Sequence, residues 1–165
     1  MKWSFSRMSF LLLCFICCSS FATADEEART IDLRLKKHIE DFPLFYPGIS
    51  SEQVVLRLDA ENINPDNMTN PEDDFETIGW TENGNYEEYY SFKDDKLITE
   101  MRCFKDKTYL YFDYIKTFLS DNLHISLTPL NDGNELIYME ESCIILLTHA
   151  KGLPDDWTVL SWIVK

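Results

Sequence analysis

The chain has 165 residues and a formal net charge of −14, from 15 basic and 29 acidic side chains. That balance repels nucleic acid and anionic membrane and attracts cations: amines, basic proteins, calcium. The same acidity also serves simply to keep a protein soluble, and the length suits one domain with a real core.

Residues 1–24 read as a secretory signal peptide. Lys2 and Arg7 form a basic start, Phe10 to Cys18 is apolar, and Ala22-Thr23-Ala24 places small residues at a cleavage site. The apolar stretch is too short to span a bilayer. Residues 25–165 are then expected to be a secreted, extracellular single domain. Within it, residues 25–80 supply a helix and a polar loop, and residues 81–165 supply strands.

From Thr30 the pattern is helical. Ile31, Leu35, Ile39 and Phe42 recur at spacings that share one face, and Pro43 ends the run. Val54 to Leu58 reads as a short strand. The segment ENINPDNMTNPEDDFE carries two Asn-Pro steps and reads as a long loop. Within it, Asn67-Met68-Thr69 is a glycosylation sequon. No internal repeat is visible.

Beyond Trp80, short aromatic and β-branched runs alternate with turn-forming clusters. Predicted strands are Tyr86–Phe92, Leu97–Phe104, Thr108–Ile115, Leu123–Pro129, Glu135–Glu140, Cys143–Thr148 and Thr158–Val164. Asn131-Asp132-Gly133-Asn134 is the strongest hairpin signal. With Val54–Leu58 this makes about eight strands, and the predicted fold is mainly β: an antiparallel up-and-down sheet closed into a lipocalin-like barrel or a sandwich.

Alternation places Tyr109, Tyr111 and Asp113 on one face of a strand, and Tyr138 and Glu140 on one face of another. A carboxylate flanked by tyrosines suits a cation, through charge and ring faces together. The competing reading puts these acids on a solvated outer face. Three of the five cysteines lie in the leader, leaving Cys103 and Cys143. In an oxidising compartment one disulfide between them is the default.

Three segments look familiar in combination: NYEEYYSFKDDKLITEMRC, ELIYMEESCIILL and DDWTVLSW. Their order of tyrosine pair, acidic turn, two cysteines and strand tryptophan resembles the tick salivary lipocalins, the group that includes the histamine-binding proteins. The resemblance covers about residues 86–162. It implies an eight-stranded barrel, monomeric, that sequesters a biogenic amine or lipid mediator without a cofactor, with Trp162 on the strand that lines it. The family's amine-binding acid before the first cysteine falls on Asp94 or Asp95. Its second and third acids fall on Asn134 and Leu160, which are not acidic. In the family each cysteine pairs with one beyond the strand tryptophan, so here both are expected either to pair with each other or to lack a mate.

No hydrolase or metalloprotease motif is present, and His38, His124 and His149 fall on separate elements. Glu140 and Glu141 would point to opposite faces of a strand and make a poor acid–base pair. The polar loop lacks the glycine and glutamate of a calcium-binding helix–loop–helix. The chain therefore reads as a binding protein without catalysis. Its cargo is a small ligand inside the barrel or, on the rival reading, a basic host protein on an acidic outer surface.

Overall fold

The computed structural model describes residues 31–130, 133–152 and 155–165. The leader expected at residues 1–24 lies outside the described residues, and so does the tip of the 131–134 hairpin. Leu33–Lys165 forms one compact unit. Its elements are α1 (Leu33–Glu40), α2 (Ser51–Ala60), β1 (Asp66–Asn67), β2 (Glu76–Glu82), β3 (Tyr86–Lys93), β4 (Lys96–Lys105), α3 (Leu110–Leu123), β5 (Thr128–Leu130), β6 (Glu135–Met139), β7 (Cys143–Ala150) and β8 (Trp157–Val164).

The strands form one antiparallel sheet in the order β1-β2-β3-β4-β8-β7-β6-β5. Two four-stranded meanders are thus joined where β4 pairs with β8, from Thr99↔Ile163 to Lys105↔Trp157. The mainly β, up-and-down character matches the sequence reading. The sheet is open: β1 and β5 each pair on one side only, so no barrel closes among the described residues. Both edges are short, two and three residues, and β5 carries Pro129, which cannot donate to a further strand.

Two segments read as strands are helices. Val54–Leu58 lies inside α2, where Val54 and Leu58 are buried one turn apart. The helix starts at a capping box: Ser50 Oγ accepts from the Gln53 amide at 3.3 Å, and Gln53 Oε1 accepts from the Ser50 amide at 3.2 Å. Thr108–Ile115 runs into α3, whose buried residues Tyr111, Phe112, Ile115 and Leu119 follow a helical period. Leu123–Pro129 is mostly the end of α3 and a connection, with β5 taking only Thr128–Leu130. The helix at α1 is as expected, with Leu35 and Ile39 buried.

All three helices lie against one face of the sheet. Phe45 packs edge-on to Tyr90 (5.2 Å), His38 stacks on Tyr86 (4.3 Å), Tyr111 stacks on Phe104 (5.4 Å) and Tyr109 stacks on His149 (3.7 Å). These sheet residues share one side by the pairing register: Tyr86↔Phe104, Phe104↔Thr158 and Thr158↔His149. Gly79 lies on the opposite side, where a Cβ would stand 2.7 Å from the Tyr89 ring. Among the described residues no helix is long and apolar enough to cross a membrane.

Asp106, just past β4, holds the start of α3. Its carboxylate accepts from the amides of Leu110 (2.9 Å), Tyr111 (3.0 Å) and Phe112 (3.0 Å), and from the Thr158 hydroxyl (2.8 Å). The donors at a helix start have no partner within the helix, and a carboxylate there also meets the positive end of the dipole. The device holds Tyr109 in a left-handed conformation, φ 61°, which a bulky side chain avoids. Its ring stack on His149 and its hydroxyl donating to Asn134 Oδ1 (3.1 Å) help fix it there. Replacing Asp106 with Ala strands several buried donors, so Asp106→Ala is expected to lower unfolding free energy by about 2–4 kcal/mol. Asp106→Asn keeps one accepting oxygen and is expected to cost about half as much. Urea denaturation followed by circular dichroism measures both.

Candidate functional site

The densest chemistry lies on the inner face of β3 and β4. Glu88, Glu100 and Arg102 are 2%, 0% and 1% exposed. Alternation brings them together: Glu88 is the register partner of Arg102, and Glu100 that of Tyr90. Arg102 Nη2 lies 2.7 Å from Glu100 Oε1, and Arg102 Nε lies 3.0 Å from Glu88 Oε1. The Nε–H does not align with that oxygen, so the second contact is attraction between charges without a directed hydrogen bond. A further guanidinium nitrogen donates to the His38 carbonyl of α1.

The remaining carboxylate lone pairs are also taken. Tyr86 and Tyr90 hydroxyls donate to Glu88 at 2.8 and 2.5 Å. Glu100 accepts from the backbone amides of Leu44 (3.0 Å) and Phe45 (3.3 Å), which fixes the segment between α1 and α2. Burial works against the guanidinium charge, but Glu88 and the other facing oxygens outweigh it and hold Arg102 above its ordinary range. Burial raises the Glu100 carboxyl; the Arg102 charge and the Leu44 amide work against that, and the neighbouring Glu88 charge adds to it. Tyr86 and Tyr90 are raised for the same first reason, then by Glu88. His38 is lowered by burial, and its ring stands 3.6 Å from Glu82.

Beside this cluster lies a cavity of about 20 Å³, walled by His38, Leu58, Ile63, Trp80, Glu88 and Arg102 among others. That is room for about one water. The Trp80 indole N–H is buried with no protein partner. On the far side of Trp80 and Ile63 a shallow open groove of about 290 Å³ is lined by Asn62, Asn64, Asp66 and Thr81. A second buried cluster sits under α3: His149 Nδ1 lies 3.2 Å from Thr158 Oγ1, which donates to Asp106, while His149 Nε2 has no protein partner. Among the described residues no group of three or more His, Cys, Asp and Glu is arranged to hold a metal ion.

The structure scatters the residues the sequence singled out. Asp94 and Asp95 form the exposed β3–β4 turn, both at positive φ, and Asp95 accepts from the amide and hydroxyl of Ser51 at the start of α2. Tyr109, Tyr111 and Asp113 do not share a strand face: Tyr109 precedes α3, Tyr111 is buried beneath it and Asp113 is exposed. Tyr138 is half-buried on β6, and Glu140 is exposed in the β6–β7 turn, so the two are not joined on one strand. Trp162 is buried on the inner face opposite Glu100. Asn67 is exposed on β1, its Oδ1 accepting from the Thr69 amide at 2.9 Å.

Cys103 and Cys143 are buried free thiols, not a disulfide. Cys143 is in register with Val164, on the inner face, whereas Cys103 lies on the outer face of β4 opposite Val159. Strand β8 stands between them, so they differ in face as well as strand and are beyond bonding reach. Burial, then Glu87, pushes the Cys103 thiol up to about 12.

The residues missed by sequence reasoning are Glu88, Glu100, Arg102, His38 and Trp80. The signal lay in YEEYYSFK, where Tyr86, Glu88, Tyr90 and Phe92 share one parity and are all buried. No family model matches the chain, and no curated protein or solved structure matches it either.

Removing the shared cation leaves two buried carboxylates facing each other. Arg102→Met is expected to lower stability by about 3–5 kcal/mol, read from urea unfolding. Glu100 sets a pH signature. Its folded pKa lies above the ordinary 4.5, so the folded chain holds that proton more tightly than the unfolded chain. The resulting stabilisation is full below the ordinary value and is lost as pH rises through the folded one. The stability difference between wild type and Glu100→Gln should therefore fall with rising pH across that window; a flat difference curve would refute the assignment.

Proposed function

We propose that the chain is a secreted, non-catalytic binding domain whose acidic surface engages a basic protein. One observation supports this most directly: the buried acids among the described residues, Glu88, Glu100 and Asp106, are taken up by internal partners, while many others face solvent. Glu88 and Glu100 serve Arg102, and Asp106 serves α3. Glu52, Asp59, Glu61, Asp66, Glu72, Asp73 and Glu76, by contrast, are exposed along α2 and the connection into β2. A guanidinium already occupies the place between carboxylates where an amine would be drawn, and the small cavity beside it has room for about a single water. Charge of one sign on an exposed surface speeds encounter with an opposite partner and weakens as salt screens it.

A second reading keeps the small ligand but moves it outside. The groove on Trp80 brings an indole face, the Asp66 carboxylate and the amides of Asn62 and Asn64 together. Those groups suit an organic amine, held by cation–π contact and one charge. A lipocalin-like closure of the sheet belongs with this reading and requires β1 and β5 to meet.

Binding of the purified protein to an immobilised basic protein such as lysozyme, with an acidic protein as control, tests the first reading. Affinity should fall at least tenfold between about 50 and 300 mM salt. Absence of binding to basic proteins at the lower salt overturns it. Calorimetry with histamine and serotonin tests the second: heat of binding that disappears in Asp66→Asn and Trp80→Phe would support the groove.

A further inference from the structure

The outer face of the sheet divides into two unlike halves. On β2 and β3 it carries Thr77, Thr81, Glu87 and Ser91, with Tyr89 over Gly79 as its one large ring. On β4, β8, β7 and β6 it carries Met101, Val159, Ile163, Ile144, Leu146 and Ile137. The register places these as neighbours through Met101↔Ser161, Ser161↔Leu146 and Leu146↔Ile137. Strands β7 and β8 are thus apolar on both faces, CIILLTHA and WTVLSWIV. An antiparallel strand with one solvated face alternates instead, and continuous apolar runs mark strands covered on both sides. Among the described residues, the ring contacts and hydrogen bonds that join helices to the sheet reach the inner face.

We propose that this outer face packs against the same face of a second copy of the chain. Charge confines a self-contact to this face. At a net −14, two copies repel over most of their surfaces, and the rows from Met101 to Ile137 and from Thr99 to Met139 carry no ionisable side chain. Four strands about 4.8 Å apart, three of them about 26 Å long and β6 shorter, present a footprint on the order of 500 Å². Over two copies that is about 1,000 Å², the lower bound for a specific interface, before side-chain relief is counted. Ser161, small and 6% exposed, lies at the middle of the patch and lets two sheets approach to ordinary stacking distance. The inference does not depend on the binding function proposed above.

Sedimentation velocity of the secreted full chain between about 1 and 100 µM tests it, that range bracketing a moderate dissociation constant. Wild type should sediment as a dimer at the upper end. Leu146→Glu should be monomeric throughout; because Leu146 is half-buried in the single chain, its melting temperature should fall while circular dichroism shows the fold retained. Ile163→Thr, which keeps a β-branched residue in the strand, should raise the dissociation constant at least tenfold, since each change counts twice across a two-fold axis. A monomeric wild type at 100 µM overturns the proposal, whether the face is bare or covered by a co-purifying lipid or peptide. A wild-type dimer that survives both substitutions overturns it too, because the contact then lies elsewhere.

Discussion

The fold depends on one strand holding two helical segments by their backbones. Glu100 on β4 accepts the amides of Leu44 and Phe45, and Asp106 at the end of β4 accepts the amides that open α3. Each carboxylate is buried, and each satisfies donors that would otherwise face an apolar sheet without water. Arg102, between them on the same strand, pairs with the first at 2.7 Å in that setting. It also reaches the His38 carbonyl and covers the Phe42 ring at 5.4 Å, so α1 and the segment after it are held from below. A buried ion pair is a weak source of stability, because desolvation offsets the attraction. Its use here is positional: Glu100 and Arg102 together hold the α1–α2 segment by its Leu44 and Phe45 amides and the His38 carbonyl.

That positional role constrains what the interior can do. A barrel that carries an amine leaves its acids unpartnered for the cargo. In this chain the internal cation and the two tyrosines complete the carboxylates, and the helical segments cover that face. The surfaces proposed above for recognition are the acidic connection around Asp66, the Trp80 groove and the apolar half of the outer face. The cost of burial is thus met inside the fold, and outside the charge is free to act at range.

Much of the sheet was legible. Tyr86–Phe92, Leu97–Phe104, Glu135–Glu140, Cys143–Thr148 and Thr158–Val164 each fall within a residue or two of β3, β4, β6, β7 and β8. The helices were not, for two reasons. Aromatic and β-branched residues in TYLYFDYI favour strands on propensity, but Phe112, Ile115 and Leu119 keep a helical spacing, and Asp106 supplies a start signal four residues ahead of Leu110. Ser50 and Gln53 likewise announce α2. The site was hidden by a bulge. Register shifts between Ser91 and Phe92, so Leu97 pairs with Phe92 while Thr99 pairs with Ser91. Strict alternation from Leu97 puts Glu100 on the opposite side from that buried leucine; the extra residue at Ile98 turns both inward. The β2 strand was missed because Gly79 and flanking threonines carry little apolar signal.

The order of the sheet explains why β8 can be so apolar without being a hazard. Had the strands followed chain order, β8 would be an edge, with unpaired backbone groups beside Trp162 and Ile163. Placed between β4 and β7, it pairs on both sides and leaves the edges to β1 and β5. The two meanders are consequently not separable units. Taken alone, either would present a long unpaired edge, β4 in one case and β8 in the other. The first would also lose the Thr158 hydroxyl from Asp106. Two helical segments, two meanders and one shared pair of central strands therefore stand or fall as a single cooperative core.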